Sequence, residues 1–213
     1  MGEWEMPLNS HLGTAYFEYT ALIVLVELFP EKYGELIRKD KPDLQDADKS
    51  LGVEVTRAIE GNYGEIEGLT SEAFYGNEAY KAKATRQIEK LGGSFDEFGM
   101  LWPTGHDNFD AIYREFDRKL QKLNSGNYAQ ICHNELFIHS DIYAIDSMLK
   151  QALKLMIEKQ RDFSIKFELI YVFVPGAIYI LDLRNESYKT KKLDTTWQSK
   201  KACKARERAE CNG

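Results

Sequence analysis

Apolar residues recur along the chain with two different spacings, and the places where one gives way to the other mark out the elements. Residues 13–29, GTAYFEYTALIVLVELF, predict a helix that stops at Pro30, because a proline ring further inside would clash with the preceding turn. From Ala21 onward this helix is apolar on nearly every side, which predicts cover from a sheet on one flank and from another element on the other. Glu18 and Glu27 interrupt it, and Glu27 reads as solvent-facing. PDLQD, 42–46, predicts a short strand. DADKS, 46–50, reads as a turn whose side chains bond their own backbone, and LGVEVTRAI, 51–59, as a second strand. A two-residue period puts Val53, Val55 and Arg57 on one side and Gly52, Glu54 and Thr56 on the other. The two strands form a hairpin.

Residues 58–78 hold several glycines and no sustained period, so they predict a loop or short helical pieces. AYKAKATRQIEKL, 79–91, is made of helix formers and stops at a glycine pair; it carries Lys81, Lys83, Arg86 and Lys90. Residues 92–106 give no assignment. Residues 107–123 predict an amphipathic helix with Phe109, Ile112, Tyr113, Phe116, Leu120 and Leu123 on its inner stripe. A strand is expected at 135–139, then a helix at 141–160 facing inward through Ile145, Met148, Leu149, Ala152 and Met156. IKFELIYVFVPGAIYILDL, 165–183, predicts a hairpin around a Pro-Gly type II turn. The expected organisation is a single domain over 1–186 followed by a basic segment, 187–213, helical or flexible. Helices interleaved with strands argue for an α/β or α+β fold.

Composition narrows the function classes. With 28 basic and 34 acidic side chains, the formal charge of −6 argues against a broad electropositive surface that binds nucleic acid indiscriminately. The three cysteines, Cys132, Cys203 and Cys211, are too scattered for a disulfide framework or a cysteine-rich zinc site, and a reducing cytoplasm is the expected setting. The longest apolar run, ALIVLV, is far short of the roughly 20 residues needed to span a bilayer, and the first residues fit neither a secretory nor a myristoylation pattern. No glycine arrangement matches a phosphate-binding loop, His133 and His139 lack metal-ligand spacing, and Cys132 beside His133 points away from it in a strand.

The candidate chemistry lies in the first hairpin. Asp43 and Glu54 stand on neighbouring strands about 5 Å apart, so their carboxylates can converge on one Mg²⁺ or Mn²⁺ ion. Glu18 from the first helix supplies a possible third oxygen, with Gln45 and the Val55 carbonyl as further donors. The run PDLQ…LGVEVT, preceded by a helix bearing Glu18, resembles the PD-(D/E)XK nuclease superfamily. The resemblance implies a restriction-endonuclease-like mixed central sheet flanked by helices, and metal-dependent hydrolysis of nucleic acid, DNA in the first place, leaving 5′-phosphate and 3′-hydroxyl ends. It assigns Asp43, Glu54 and Thr56 to catalysis, Glu18, Asp43 and Glu54 to the metal, and Lys81, Lys83 and Arg86 to a nucleic-acid groove. A homodimer or another protein partner is compatible with it.

Thr56 departs from the pattern, since it stands where the family carries a lysine. A hydroxyl can position a water but cannot replace an ammonium at the phosphate. Lys41, Lys81, Lys83 and Arg86 are the candidate replacements; Arg57 points to the other face. The alternative reading is a nuclease-fold relative that has lost cleavage and acts by binding protein or nucleic acid, for example in the contest between phages and their hosts. A third is a structural domain whose hairpin acids are accidental.

Overall fold

The computed structural model describes residues 13–58, 69, 73, 77–91, 94–95, 101–102, 108–126 and 129–212. In chain order its elements are helices α1 (Gly13–Leu28) and α2 (Pro30–Tyr33), strands β1 (Ile37–Arg38), β2 (Leu44–Gln45) and β3 (Leu51–Arg57), and helix α3 (Glu78–Lys90). Strands β4 (Ser94–Phe95) and β5 (Leu101–Trp102), helix α4 (Asp110–Leu123), strand β6 (His133–His139) and helix α5 (Asp146–Lys159) follow. Strands β7 (Phe167–Val174), β8 (Ala177–Asp182) and β9 (Ser187–Lys192) and helix α6 (Thr195–Asn212) complete the chain.

Where the sequence predicts a single domain over 1–186, the chain divides into two compact units: Met1–Gly13 with Ile59–His106, and Thr14–Ala58 with Asp107–Gly213. In the first, α3 starts at Asn77, whose side chain accepts the Tyr80 N–H at 3.1 Å, and it buries Ala84 and Ile88. β4 and β5 form an antiparallel pair. The loop or helical pieces expected over 58–78 lie mostly outside the described residues.

The second unit is built on a seven-stranded sheet, β1-β2-β3-β6-β7-β8-β9. β3, β6 and β7 run parallel to one another and the remaining pairings are antiparallel, so this is a mixed sheet of α/β type. One face packs on α4 and α5 through Leu136, Ile138, Ile170 and Val172 against Ile112, Phe116, Leu149 and Met156. The other face packs on α1 through Val53, Val55, Phe137 and Tyr171 against Ala21, Val24 and Leu25. Being covered on both sides, β3 is buried from Leu51 to Thr56, polar residues included.

α1 has cover on its second flank as well. Ala205 and Ala209 of α6 are fully buried, and Lys201 and Lys204 pair with Glu27, so the solvent-facing glutamate expected from the sequence is an ion-pair acceptor. Burial of side chains such as Val24 and Leu25, each 0% exposed, is worth about 1.5–3 kcal/mol apiece. Among the described residues no helix is long and apolar enough to cross a membrane.

Two expectations need correction. α5 begins at Asp146 rather than 141, because Ile145 is extended (ψ 165°) and 54% exposed; Leu153 takes an inner position instead. The segment from 187 opens with an edge strand before turning into α6. Its lysine-rich sequence hides the strand, since an edge tolerates charge where an inner strand needs apolar residues, and charge guards the open edge against further pairing. The Pro-Gly turn between β7 and β8 forms as expected, with Gly176 at φ +77°, and Gln198 of α6 grips it: its Oε1 accepts the Gly176 N–H at 2.6 Å and its Nε2 donates to the Val174 carbonyl at 2.8 Å.

Candidate functional site

The sheet is thinnest at β1 and β2, two residues each, and β3 runs on past them. Leu44 and Gln45 pair with Val53 and Gly52, so the ladder ends before the Val55 N–H. The Asp43 carboxylate takes that donor, Oδ2 lying 2.7 Å from the nitrogen, and a side chain thereby continues a ladder that the backbone has left. The turn that presents Asp43 is tied down by Gln45, whose Nε2 donates to the carbonyls of Asp40 (3.1 Å) and Pro42 (2.8 Å). Gly52 makes room for it: a Cβ there would meet the Pro42 ring at 2.5 Å. Gln45, expected as a metal donor, therefore serves the turn.

Alternation puts Glu54 and Thr56 on one face of β3, as the sequence predicts, and the structure packs that face on α4. Lys119 reaches from α4 to meet them, its Nζ 2.5 Å from Glu54 Oε2 and 3.4 Å from Asp43 Oδ2. The side chains of Lys119 and Glu54 are 7% and 2% exposed, and that of Asp43 is 20% exposed, so the trio opens to solvent at Asp43. An ammonium this deep is tolerable because two carboxylates share it.

Beside this trio lies a second one. Thr56 donates its hydroxyl hydrogen to Glu115 and accepts from Arg118 Nη2 at 3.1 Å, while Arg118 Nη2 also donates to Glu115 at 2.7 Å. Burial works against the Glu115 carboxylate, but the bonds from Arg118 and Thr56 and the nearby charges of Arg118 and Lys119 outweigh it and hold its pKa below the ordinary value. Thr56 thus fastens β3 to α4.

Glu18 comes up from α1 and accepts from Arg38 Nε. Its burial raises its pKa against the opposing bond and charge of Arg38; the Asp43 charge adds to the rise and Lys119 offsets it, which places Glu18 within electrostatic reach of the Asp43–Lys119 pair. No family model, curated protein or solved structure matches the chain.

Among the described residues no group of three His, Cys, Asp or Glu side chains is arranged to hold a metal ion. Asp43 and Glu54 nevertheless form a pair of hard oxygen donors, one of them reachable from solvent, and magnesium commonly takes one or two carboxylates plus waters and substrate phosphates. By its chemistry alone the pair is of the kind that Mg²⁺ and Mn²⁺ take, and in this structure the Lys119 ammonium stands against both acids.

The other candidates are placed as follows. Lys41 is exposed, 3.7 Å from Asp40, and Arg57 stacks over the Phe17 ring on the α1 face, as alternation requires. Lys81, Lys83 and Arg86 lie on the open side of α3 in the first unit. His133 pairs with Glu168 at 2.9 Å, and His139 donates through Nε2 to the Phe17 carbonyl at 3.0 Å. On the α1 face, buried Glu135 accepts from Lys32 (2.5 Å) and Tyr33 (2.6 Å), which ties α2 to the sheet.

Lys119 is the residue that sequence reasoning missed. Its signal was present: it falls within the apolar stripe, three residues after Phe116 and four before Leu123, where a solvated lysine does not belong.

Proposed function

We propose that the second unit is a metal-dependent nuclease of restriction-endonuclease-like type, hydrolysing phosphodiester bonds in nucleic acid, DNA in the first place. The observation that carries this reading is Lys119. Its ammonium touches both acids of the PD…EVT hairpin and supplies the positive charge that Thr56 does not. The placement of Asp43 at the start of one strand, Glu54 within the next and Glu18 on the first helix supports it as well.

Asp43 and Glu54 would hold the ion, which when bound polarises the phosphate and lowers the pKa of its water. The Val55 N–H fixes the direction of the Asp43 carboxylate, and the hairpin fixes its distance from Glu54. Lys119, immobilised by both acids and shielded from solvent, is preorganised to stabilise negative charge growing on the phosphate, which costs no reorganisation during the reaction.

The same contacts favour a second reading. An ammonium already neutralises both acids, as suits a relative that binds without cleaving. Calorimetric titration of Mn²⁺ into wild type and Asp43→Asn, followed by cleavage assays on DNA and RNA, separates the two. The nuclease reading expects saturable binding that Asp43→Asn abolishes, and a loss of cleavage of about 10²–10³-fold in Lys119→Met. A wild type that neither binds the ion nor cuts leaves the binding-only reading in its place.

A further inference from the structure

We propose that Glu18 and Arg38 are positioning residues: their pair pins the β1–β2 hairpin to α1 and so holds the Asp43 carboxylate where it can share an ion with Glu54. This rests on the nuclease reading, and it places Glu18 beside the ligands of the ion rather than among them. Asp43 lies in the turn between two strands of two residues each, and the outer one, β1, is an edge of the sheet with Ile37 48% exposed. A hairpin that short is marginal by itself. Its turn is closed from within, since the Lys39 N–H donates to the Asp43 carbonyl at 2.9 Å and Gln45 ties down Asp40 and Pro42. Those bonds fix its shape and leave its seat on the body to be fixed by others.

On the β3 side the seat is made by the pairing of Leu44 and Gln45 and by the bond from the Val55 N–H to Asp43, 2.7 Å long. On the α1 side it is made by Arg38, which lies across the ladder from Leu44 and next to Lys39. Its Nε donates to Glu18, and its guanidinium lies over the Tyr19 ring, 5.2 Å from the centroid. The two side chains are 34% and 10% exposed, so the pair is charge-assisted and less screened than a surface one. Convergence decides between the two roles for Glu18. Asp43 and Glu54 already meet at one cationic nitrogen, that of Lys119, whereas Glu18 meets a different one, that of Arg38. The Asp43 charge still reaches Glu18, which keeps the pair close to the site it steadies.

Calorimetric titration of Mn²⁺ into wild type, Arg38→Met and Glu18→Gln, with thermal melts to confirm folding, tests the assignment because the two roles order the variants oppositely. If the pair positions Asp43, Arg38→Met should raise the Kd for Mn²⁺ by about 10- to 100-fold, as the loss of a partner that orients metal ligands does. Glu18→Gln should raise it less, since an amide oxygen still accepts the Nε–H. If Glu18 were a ligand, Glu18→Gln would be the damaging change. Arg38→Met would then free a carboxylate, remove a positive charge and bind at least as tightly as wild type; that order overturns the proposal. Stoichiometry separates positioning from general loss of structure: a partly unfolded variant binds fewer ions per chain at an unmoved Kd, which overturns the proposal as well. Should Arg38→Met not fold, Arg38→Lys takes its place with the same order expected. Where the ion is taken up only with nucleic acid present, the Mn²⁺ concentration at half-maximal cleavage replaces the Kd. A wild type that neither binds the ion nor cuts fails the nuclease reading and the proposal with it, whereas equal binding by wild type and Arg38→Met fails only the role of the pair.

Discussion

Lys119 and His139 are two buried bases that the protein accommodates in opposite ways. Lys119 is paired with two carboxylates, whereas His139 sits among the rings of Phe17, Phe137 and Phe173 with centroids 4.8, 5.0 and 5.9 Å away. Burial, against a bond to the Phe17 carbonyl and with help from the Arg57 charge, pushes its pKa down to about 3. Below its unfolded value of about 6.5 the unfolded chain takes up a proton that the folded chain refuses. The stabilisation from keeping His139 neutral is complete above pH 6.5 and is lost as pH falls towards 3. Glu18 and Glu135, whose pKa values burial raises, act in the opposite sense: the folded state binds their protons first, so acidification towards 4.5 favours it. Comparing urea unfolding of wild type and His139→Leu across this range isolates the histidine. The wild type should lose stability more steeply with falling pH than the variant, and parallel curves would mean that His139 titrates normally.

The β2–β3 hairpin shows how one small residue shapes a site. Gly52 lies under Pro42, and Pro42 precedes Asp43. A methyl group at 52 would overlap the Pro42 ring and crowd Ile131, at 2.5 and 3.2 Å. Gly52→Ala should therefore destabilise by about 1–3 kcal/mol, as overpacking does, and on the nuclease reading should weaken Mn²⁺ binding because the Asp43 turn must move. Gly176→Ala is the control. It meets nothing within 4 Å but stands at φ +77°, so it should cost about 1–2 kcal/mol of conformational energy with metal binding intact. Equal effects of the two variants on the ion would dissociate Gly52 from the site. Alternation in LGVEVTR already places Gly52, Glu54 and Thr56 on one face, so the crowding side of the hairpin was legible in sequence; the ring that fills the space was not.

Across the whole of the second unit, the segment after residue 187 is a working part of the sheet. β9 pairs along all of β8, Trp197 packs against the α1-side core, and Gln198 closes the β7–β8 turn. Deleting 194–213 would uncover Leu22 and Ile23 on α1 and leave the Val174 carbonyl without its Gln198 donor. Scanning calorimetry should find a melting temperature lower by well over 5 °C, on the basis that about 1 kcal/mol shifts a domain of this size by roughly 2–4 °C. An unshifted melt would mean that α6 is the solvated tail that its composition suggests.

Helices α1, α3 and α4, the β2–β3 and β7–β8 hairpins and the facing of β3 follow from the sequence alone, because periodicity and turn chemistry are properties of neighbours in the chain. The two acids of the proposed site could be paired for the same reason, since Asp43 and Glu54 belong to one hairpin. What completes the site comes from far away: Lys119 lies 65 residues from Glu54 and 76 from Asp43, and Glu115 lies 59 from Thr56. No local pattern encodes such pairings. The tertiary structure decides them, because packing the apolar stripe of α4 on the sheet carries Lys119 to a place on that face where two carboxylates offset the cost of burying its charge.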